Sequence, residues 1–419
     1  MQTQKKPMKK IFLVGGAVRD KHMGYPYHER DWVVVGSTPE EMLADGFRPV
    51  GKDFPVFLHP ETDEEYALAR TERKTAPGYG GFTFHTSPDI TLEEDLARRD
   101  LTINAIAEDE NGEIYDPYQG LADLDAKLLR HVSPAFSEDP VRVLRVARFA
   151  ARYHHLGFRV ATETVQLMSE MVAAGEVGFL VAERVWKELE RALRERSPDI
   201  FIEVLRQCGA LKVIMPEVDA LFGVPQSPQH HPEIDCGVHS LMALVEARKL
   251  SDDSAVLLAT LIHDLGKAAT PKDVLPRHIA HESRSLPLIN QLCERLAIPK
   301  RHRELATAVA RDHTNCHRAL ELQAKTLLAL LQRLDSFRRP QQFQDFLLCC
   351  EADSRGRTGF QQRPYPQADY LQQALRVCNT LQAKDVMAEG VSGKAIGDAL
   401  QRARIDALKA FKSAWPSPT

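Results

Sequence analysis

The spacing of apolar residues changes character once along the chain, near residue 139, and that change limits the folds open to it. Before it, short apolar runs at residues 11–14 (IFLV), 32–35 (WVVV), 56–58 (VFL) and 66–69 (YALA) are separated by glycine and proline and read as strands. Asn111-Gly112, between Ile106 and Ile114, is a hairpin-turn signal. After it, apolar residues recur at helical spacing and β-rich stretches disappear. The fold class implied is α+β: a mixed head followed by an all-α remainder. Ser197-Pro198 and Cys208-Gly209 bracket one helix with an N-cap, a first-turn proline and a terminal glycine. Residues 222–232 (FGVPQSPQHHP) read as a linker into a second helical block that holds most of the histidines. The last stretch is helical again, with a break near residues 355–367.

No apolar run approaches the ~20 residues a membrane-spanning helix needs, which excludes an integral helical membrane protein. Lys+Arg 54 against Asp+Glu 58 gives a net charge of −4, so any surface for a polyanion must be local. The seven cysteines begin at Cys208 and form no C-x-x-C pair, which argues against a disulfide framework and a structural zinc site. Residues 1–10 are polar and lysine-rich, without the apolar stretch of a signal peptide. A reducing cytoplasm fits, and Met8 is an alternative start just ahead of the first strand.

The strand at residues 11–14 runs into Gly15-Gly16 and then Ala17-Val18-Arg19-Asp20. A glycine turn between strand and helix exposes backbone N–H groups to an anion, and Arg19 adds a charge-assisted donor. The same sequence also fits a plain structural turn. Glu29-Arg30-Asp31 then leads into the next strand, where carboxylates at i and i+2 project to one face. Two adjacent carboxylates repel unless a cation joins them. Magnesium prefers oxygen ligands, and paired carboxylates with metal are a standard route to phosphoryl or nucleotidyl transfer. Glu65, at the start of a later strand, is the candidate third acid.

Arg98-Arg99-Asp100 precedes an apolar, helix-like stretch and offers cations for a triphosphate; a surface ion pair fits it as well. Glu138-Asp139-Pro140-Val141-Arg142 opens a helix on which Arg142, Arg145, Arg148 and Arg152 share about a third of the circumference. That row is either an outer polar face or a stripe along a nucleotide cleft. Asp139 and Arg142, three apart, place an acceptor beside a donor. Such a pair complements the amino donor and ring-nitrogen acceptor of cytosine and adenine and mismatches uracil and guanine. Each buried mismatch would cost on the order of 1–3 kcal/mol.

In the second helical block, the apolar residues 255–262 lead into His263-Asp264-Leu265-Gly266-Lys267. A histidine and an aspartate after a buried helix can bind one divalent metal. His239 lies upstream, His278 and His281 follow, and Asp353 comes much later. His278 and His281 are candidates for metal or phosphate contact. His230, His231 and His313 read as structural or surface residues.

Taken in order, Gly15-Gly16-x-x-Arg19-Asp20, Glu29-x-Asp31, Arg98-Arg99-Asp100-x-x-x-Asn104-Ala105 and Glu138-Asp139-x-x-Arg142-x-x-Arg145 resemble the class II tRNA nucleotidyltransferases, or CCA-adding enzymes, and the related bacterial poly(A) polymerases. The histidine block resembles the HD phosphohydrolase superfamily. Together these cover nearly the whole chain and imply a polymerase-β-like head followed by all-α neck, body and HD domains. The corresponding spans are 1–138 (head), 139–222 (neck, RNA and nucleotide binding), 228–330 (HD domain) and 331–419 (helical tail). The resemblance implies magnesium on Glu29 and Asp31, nucleotide contacts at Gly16, Arg19, Arg99, Arg145 and Arg148, and base selection by Asp139 and Arg142. It implies addition of C, C and A to a tRNA 3′ end from CTP and ATP. For the HD domain it implies a metal on His239, His263, Asp264 and Asp353, with a preference for nickel or another transition metal. The activities expected there are phosphatase, 2′-nucleotidase and 2′,3′-cyclic phosphodiesterase, in a monomer or homodimer acting in the cytoplasm.

One position departs from the family pattern, which usually has Asp-x-Asp where this chain has Glu29-x-Asp31. A poly(A) polymerase shares the head motifs but usually lacks the histidine block and carries a basic C-terminal extension. An HD phosphohydrolase with a vestigial head draws support only from Glu29. A non-catalytic RNA-binding protein would need neither the acidic pair nor the histidines.

Overall fold

The computed structural model describes residues 8–27, 29–50, 56–74, 82–388, 392–393 and 395–416. The chain divides into two compact units, Met1–Ile214 and Met215–Thr419.

The first unit opens with β1 (Lys10–Val14), α1 (Gly16–His22), β2 (Asp31–Val35), α2 (Pro39–Ala44), β3 (Arg48–Pro49), β4 (Val56–Leu58) and β5 (Glu65–Leu68). A separate hairpin of β6 (Arg70–Lys74) and β7 (Phe82–Thr86) follows, then α3 (Leu92–Ala97), β8 (Ala107–Asp109), β9 (Ile114–Tyr115) and α4 (Gly120–Asp125). Seven strands form one sheet in the order β3-β4-β5-β2-β1-β8-β9. β2 runs antiparallel to β1 and parallel to β5. Alternation along β2 sends Val33 to one face, with Phe12, Val14 and Leu96, and Val34 to the other, with Met42, Phe57 and Leu68. The β8–β9 hairpin turns at Gly112, whose φ is +83°.

β10 (Leu128–Leu129) pairs in parallel with β11 (Arg159–Val160), so a short strand does lie beyond residue 139, where helical spacing alone was expected. The helices around it are α5 (Val141–Tyr153), α6 (Thr162–Ala173), α7 (Ala182–Leu193), α8 (Pro198–Gln207) and α9 (Ala210–Ile214). α8 starts at Pro198 and stops before Gly209 with φ +81°, as the residues imply, but the Ser197 side chain makes no capping bond. Helix α5 packs against α7 and α8. The apolar stretch after Arg99 is a single 3₁₀ turn, Thr102–Asn104, rather than a helix.

The second unit holds α10 (Pro216–Asp219), α11 (Cys236–Leu250), α12 (Ser254–Ile262), α13 (His281–Arg295), α14 (Lys300–His317), α15 (Ala324–Arg333), α16 (Pro340–Arg355), α17 (Pro366–Asn379), α18 (Ala383–Ala388) and α19 (Ala395–Ala414). α12 is buried along its whole length. A helix apolar on every side belongs inside a bundle, and α11, α14 and α16 surround it. α16, placed in a separate tail by the sequence reading, therefore belongs to the same bundle as α11, α12 and α14. Residues 222–232 are likewise no loose linker. Gln226 is buried, and Pro225 bridges to Asp235 at the entrance of α11. All seven cysteines are buried and free.

Candidate functional site

In the first unit, the β-sheet register puts Val14 beside Asp31 and Asp31 beside Glu65, a row across three strands. Asp31 shares its strand face with Val33, and so opens on the same side as α3. Val14 runs directly into Gly15, whose φ is +69°, a conformation that favours glycine. A side chain on Gly15 would also meet the Arg99 guanidinium at 3.0 Å. These groups floor a cleft of about 1220 Å³ that also takes in Gly16, Arg19, Glu29, Arg99 and the arginine row of α5.

The structure thus brings every head residue expected from the sequence to one cleft, with three changes of detail. First, Glu29 is not on the strand: β2 starts at Asp31, and Glu29 is an exposed residue just ahead of it. Second, Arg19 is buried, donating from Nε and Nη2 to Asp20 at 2.8 and 3.0 Å and also to Asn104. Third, Asp139 and Arg142 each make hydrogen bonds to other groups. Arg142 donates to the carbonyls of Ala135 (2.9 Å) and Arg98 (2.6 Å). Asp139 accepts from Arg184 on α7 at 2.9 and 3.3 Å and from the Val141 N–H at 3.1 Å. Arg184 lies 45 residues away, beyond the reach of local spacing.

The outer-face reading of the α5 arginines fails. Arg142 and Arg148 are buried, and the row is tied to carboxylates: Arg145 to Asp100 at 2.7 Å, Arg148 to Glu188 at 2.7 Å and Arg152 to Asp20 at 3.7 Å. Burial works to raise the Asp100 pKa, but Arg145 and the Asn104 amide outweigh it and hold the carboxyl well below the usual range. Asp31 is shifted the other way. Burial raises its pKa; Arg99 pulls it down, Glu29 pushes it up, and Arg145 pulls it down again. A carboxylate disfavoured by its surroundings and by a second carboxylate suits a cation. Arg99 lends Nη2 to Asp95 at 3.2 Å while its buried Nε has no hydrogen-bond partner.

The second unit brings His239 on α11, His263 and Asp264 at the end of α12, and Asp353 on α16 into one buried cluster. His239 Nε2 lies 2.9 Å from an Asp353 oxygen, and His263 Nε2 lies 3.2 Å from Asp264 and 3.7 Å from Asp353. His281 also belongs here, with Nε2 3.3 Å from Asp264. Two further histidines of α14 join it. His313, set aside by the sequence reading, has Nε2 3.6 Å from Asp264, and His317 Nε2 lies 2.6 Å from Asp353. The signal was present: His313 and His317 are four apart on a helix, hence on one face. His278 stands outside, bonded to Thr270 at 2.7 Å and facing the Pro225 carbonyl at 3.1 Å. His231 joins a neighbouring group with Glu233 and His239, and His230 in none of these groups.

Four of these rings are fixed in the same way. Nδ1 faces a backbone carbonyl in His239 (Gly356, 3.1 Å), His263 (Thr260, 2.7 Å), His281 (His278, 2.8 Å) and His313 (Val309, 3.0 Å). A carbonyl holds the proton on Nδ1 and leaves Nε2 as the ligand atom, the usual second contact of a metal-binding imidazole. His263 Nε2 and Asp264 Oδ1 are buried without a hydrogen-bond partner, so the donor set fits a cation. The fields there are uneven. Burial lowers the His313 pKa to about 3. Burial also works to lower that of His263, but Asp264 and Asp353 carry it up to about 10. Lys267 donates to Asp264 at 2.6 Å and to Gln226 at 2.9 Å, which draws residues 222–232 into this site. Among the described residues, groups of three or more ligand atoms within 4.8 Å of one another occur only here; Glu29, Asp31 and Glu65 form no such group.

Known protein families match stretches of both units. The Poly A polymerase head domain family matches residues 11–130, the probable RNA and SrmB-binding site of polymerase A matches 157–222, and the HD domain matches 237–339. Asp353 lies beyond the last of these. The fold aligns with a CCA-adding enzyme in complex with ATP at TM-score 0.65 and 19% identity, over 96% of this chain and 86% of that one. It aligns with the Thermotoga maritima CCA-adding enzyme complexed with tRNA at 0.62 and 18%, over 98% and 89%. Fold and motifs together define a tRNA nucleotidyltransferase that carries an HD domain. Identity reaches 64% over 406 residues with the multifunctional CCA protein of Thioalkalivibrio sulfidiphilus, covering 97% of this chain and 99% of that protein. It is 62% over 405 residues with that of Teredinibacter turnerae, covering 97% and 98%. The chain belongs to the multifunctional CCA protein family. Both domain types use divalent metal, and no described helix is long and apolar enough to cross a membrane.

Proposed function

We propose that the first unit adds C, C and A to the 3′ end of tRNA from CTP and ATP, without a nucleic-acid template, and that the second hydrolyses 2′,3′-cyclic phosphates and 2′-phosphates. The observation that carries the first reading is the Asp31–Glu65 pair in register at the floor of an arginine-lined cleft. Asp31 and Glu29 would hold magnesium, with Glu65 as the third carboxylate. Magnesium held there would supply neutralisation of the triphosphate charge. Arg99, Arg145 and Arg148 bind the phosphates, and Arg19 holds Asn104 and the turn at Gly16 in place. Arg142 is pinned by two carbonyls and Asp139 by Arg184, so the acceptor and donor that face the base keep fixed positions. Fixed polar groups select by leaving a mismatched base unpaired.

In the second unit His239, His263, Asp264 and Asp353 would hold nickel or another transition metal, with His281 and His313 beside them. Such a metal would supply Lewis acidity for hydrolysis of phosphate esters. The protein's own part is to exclude bulk water, fix the imidazoles through their backbone contacts and present Lys267 beside Asp264. We divide the chain into head 1–138, neck 139–222, HD domain 228–330 and tail 331–419, with α16 contributing Asp353 to the HD site.

The test is extension of a tRNA lacking its 3′ CCA, with magnesium, CTP and ATP given singly and together. Two additions with CTP alone and a third with ATP are expected, and Glu29→Asp should give the same products. A long ladder with ATP alone would mean poly(A) polymerase activity, and no extension would refute the reading.

A further inference from the structure

The described residues lining the cleft of the first unit include twelve arginines and lysines against seven carboxylates, in a chain whose net charge is −4. The arginines of α5 are largely committed to those carboxylates. A second cationic row lies on α7. Arg184, Lys187, Arg191 and Arg194 recur at steps of three, four and three, which keeps them on one side of a helix. Lys187, Arg191 and Arg194 are exposed to the cleft. Arg194 pairs with Glu190 at 2.9 Å, whereas among the described residues neither Lys187 nor Arg191 has a carboxylate partner.

Arg184 marks one end of this row, because it holds Asp139, the acceptor assigned to the incoming base. Lys187 and Arg191 stand about 4.5 and 10.5 Å further along the axis. They therefore continue the cationic cleft wall beyond the base-facing Asp139–Arg184 pair, with Lys187 next to the Glu188 that holds Arg148. A row of exposed cations leaving a nucleotide site fits the backbone of the strand being extended.

We propose that Lys187 and Arg191 bind phosphates of the RNA strand at its 3′ end, separately from the arginines that take the nucleotide; this rests on the tRNA-extending function proposed above. The test uses the full-length protein, a labelled tRNA lacking its 3′ CCA, and the double variant Lys187→Gln/Arg191→Gln. Dissociation constants are measured for the tRNA at several KCl concentrations, and for CTP without RNA by equilibrium dialysis. Loss of two phosphate contacts should weaken tRNA binding roughly tenfold and lower the slope of log K against log salt by about 1.4–1.8. CTP affinity should stay within about twofold of wild type. An unchanged tRNA affinity and slope would overturn the proposal. So would a parallel loss of CTP affinity, which would give the row to the triphosphate. Failure of the wild-type protein to bind this tRNA would instead remove the function on which the proposal rests.

Discussion

Asp100 shows how single side chains hold the nucleotide cleft in shape. It is buried and accepts from the Leu101 N–H (2.9 Å), the Asn104 amide (2.9 Å) and Arg145 Nε (2.7 Å). Its folded-state pKa is depressed, so its contribution to stability is complete above the unfolded value near 3.9 and is lost as pH falls through the lower folded value. Asp100→Asn should cost about 1–3 kcal/mol near neutral pH, because Arg145 loses a charged acceptor. The gap between wild type and variant should then close as pH falls below about 4. Denaturant unfolding of both proteins from pH 7 down to 2.5 checks this; a gap that stays constant would mean Asp100 is not ionised in the fold. Much at this scale was legible. The strand period puts Asp31 and Val33 on one face, and Glu65 falls beside Asp31 as an acid at the start of a neighbouring strand should. Arg184 was not legible, because the contact that matters spans 45 residues and helix spacing offered the nearer Arg142 instead. His313 becomes legible only beside His317, its i, i+4 neighbour on one face of α14.

At the scale of elements, the HD site depends on how closely α11 and α16 approach. Gly356 ends α16, and a Cβ there would lie 2.4 Å from the Ala243 Cα and 2.5 Å from its nitrogen. Those are backbone atoms of α11, which cannot swing aside. The Gly356 carbonyl also faces His239 Nδ1, so the same contact sets the helix spacing and the ring's orientation. Gly356→Ala should push the helices apart at a cost of about 1–3 kcal/mol. In a unit of this size that lowers Tm by roughly 3–10 °C, and metal binding by the second unit should weaken with it. Thermal unfolding and metal titration of the variant measure both, and an unchanged Tm would show that the helices adjust freely. The sequence boundary at 330/331 falls inside α15 (Ala324–Arg333), and α16 goes to the tail for a physical reason. Nothing local says that Asp353 returns to a site begun at His239, 114 residues earlier. Residues 222–232 misled in the same way. Proline and glutamine usually signal a linker, yet here Gln226 is buried to satisfy Lys267.

For the whole molecule, what counts is that each site is built within one unit. Every residue lining the nucleotide cleft lies before Met215, and every member of the histidine–aspartate cluster lies after it. Neither constellation needs an atom from the other. Asp31→Ala removes a carboxylate at the floor of the first site, and His263→Ala removes a ligand at the centre of the second. Asp31→Ala should therefore abolish nucleotide addition to tRNA while keeping hydrolysis of 2′,3′-cyclic phosphates near the wild-type rate. His263→Ala should do the reverse. An equimolar mixture of the two variants should show both activities, each at about half the rate given by the same total amount of wild type. A substrate that carries a 2′,3′-cyclic phosphate and lacks the terminal CCA extends the test. The mixture should open and clear the end and then extend it, because a tRNA released by one molecule can be rebound by another. If His263→Ala also lost nucleotide addition with an undamaged tRNA, the two sites would be coupled. The division of labour argued from their separate construction would then be wrong.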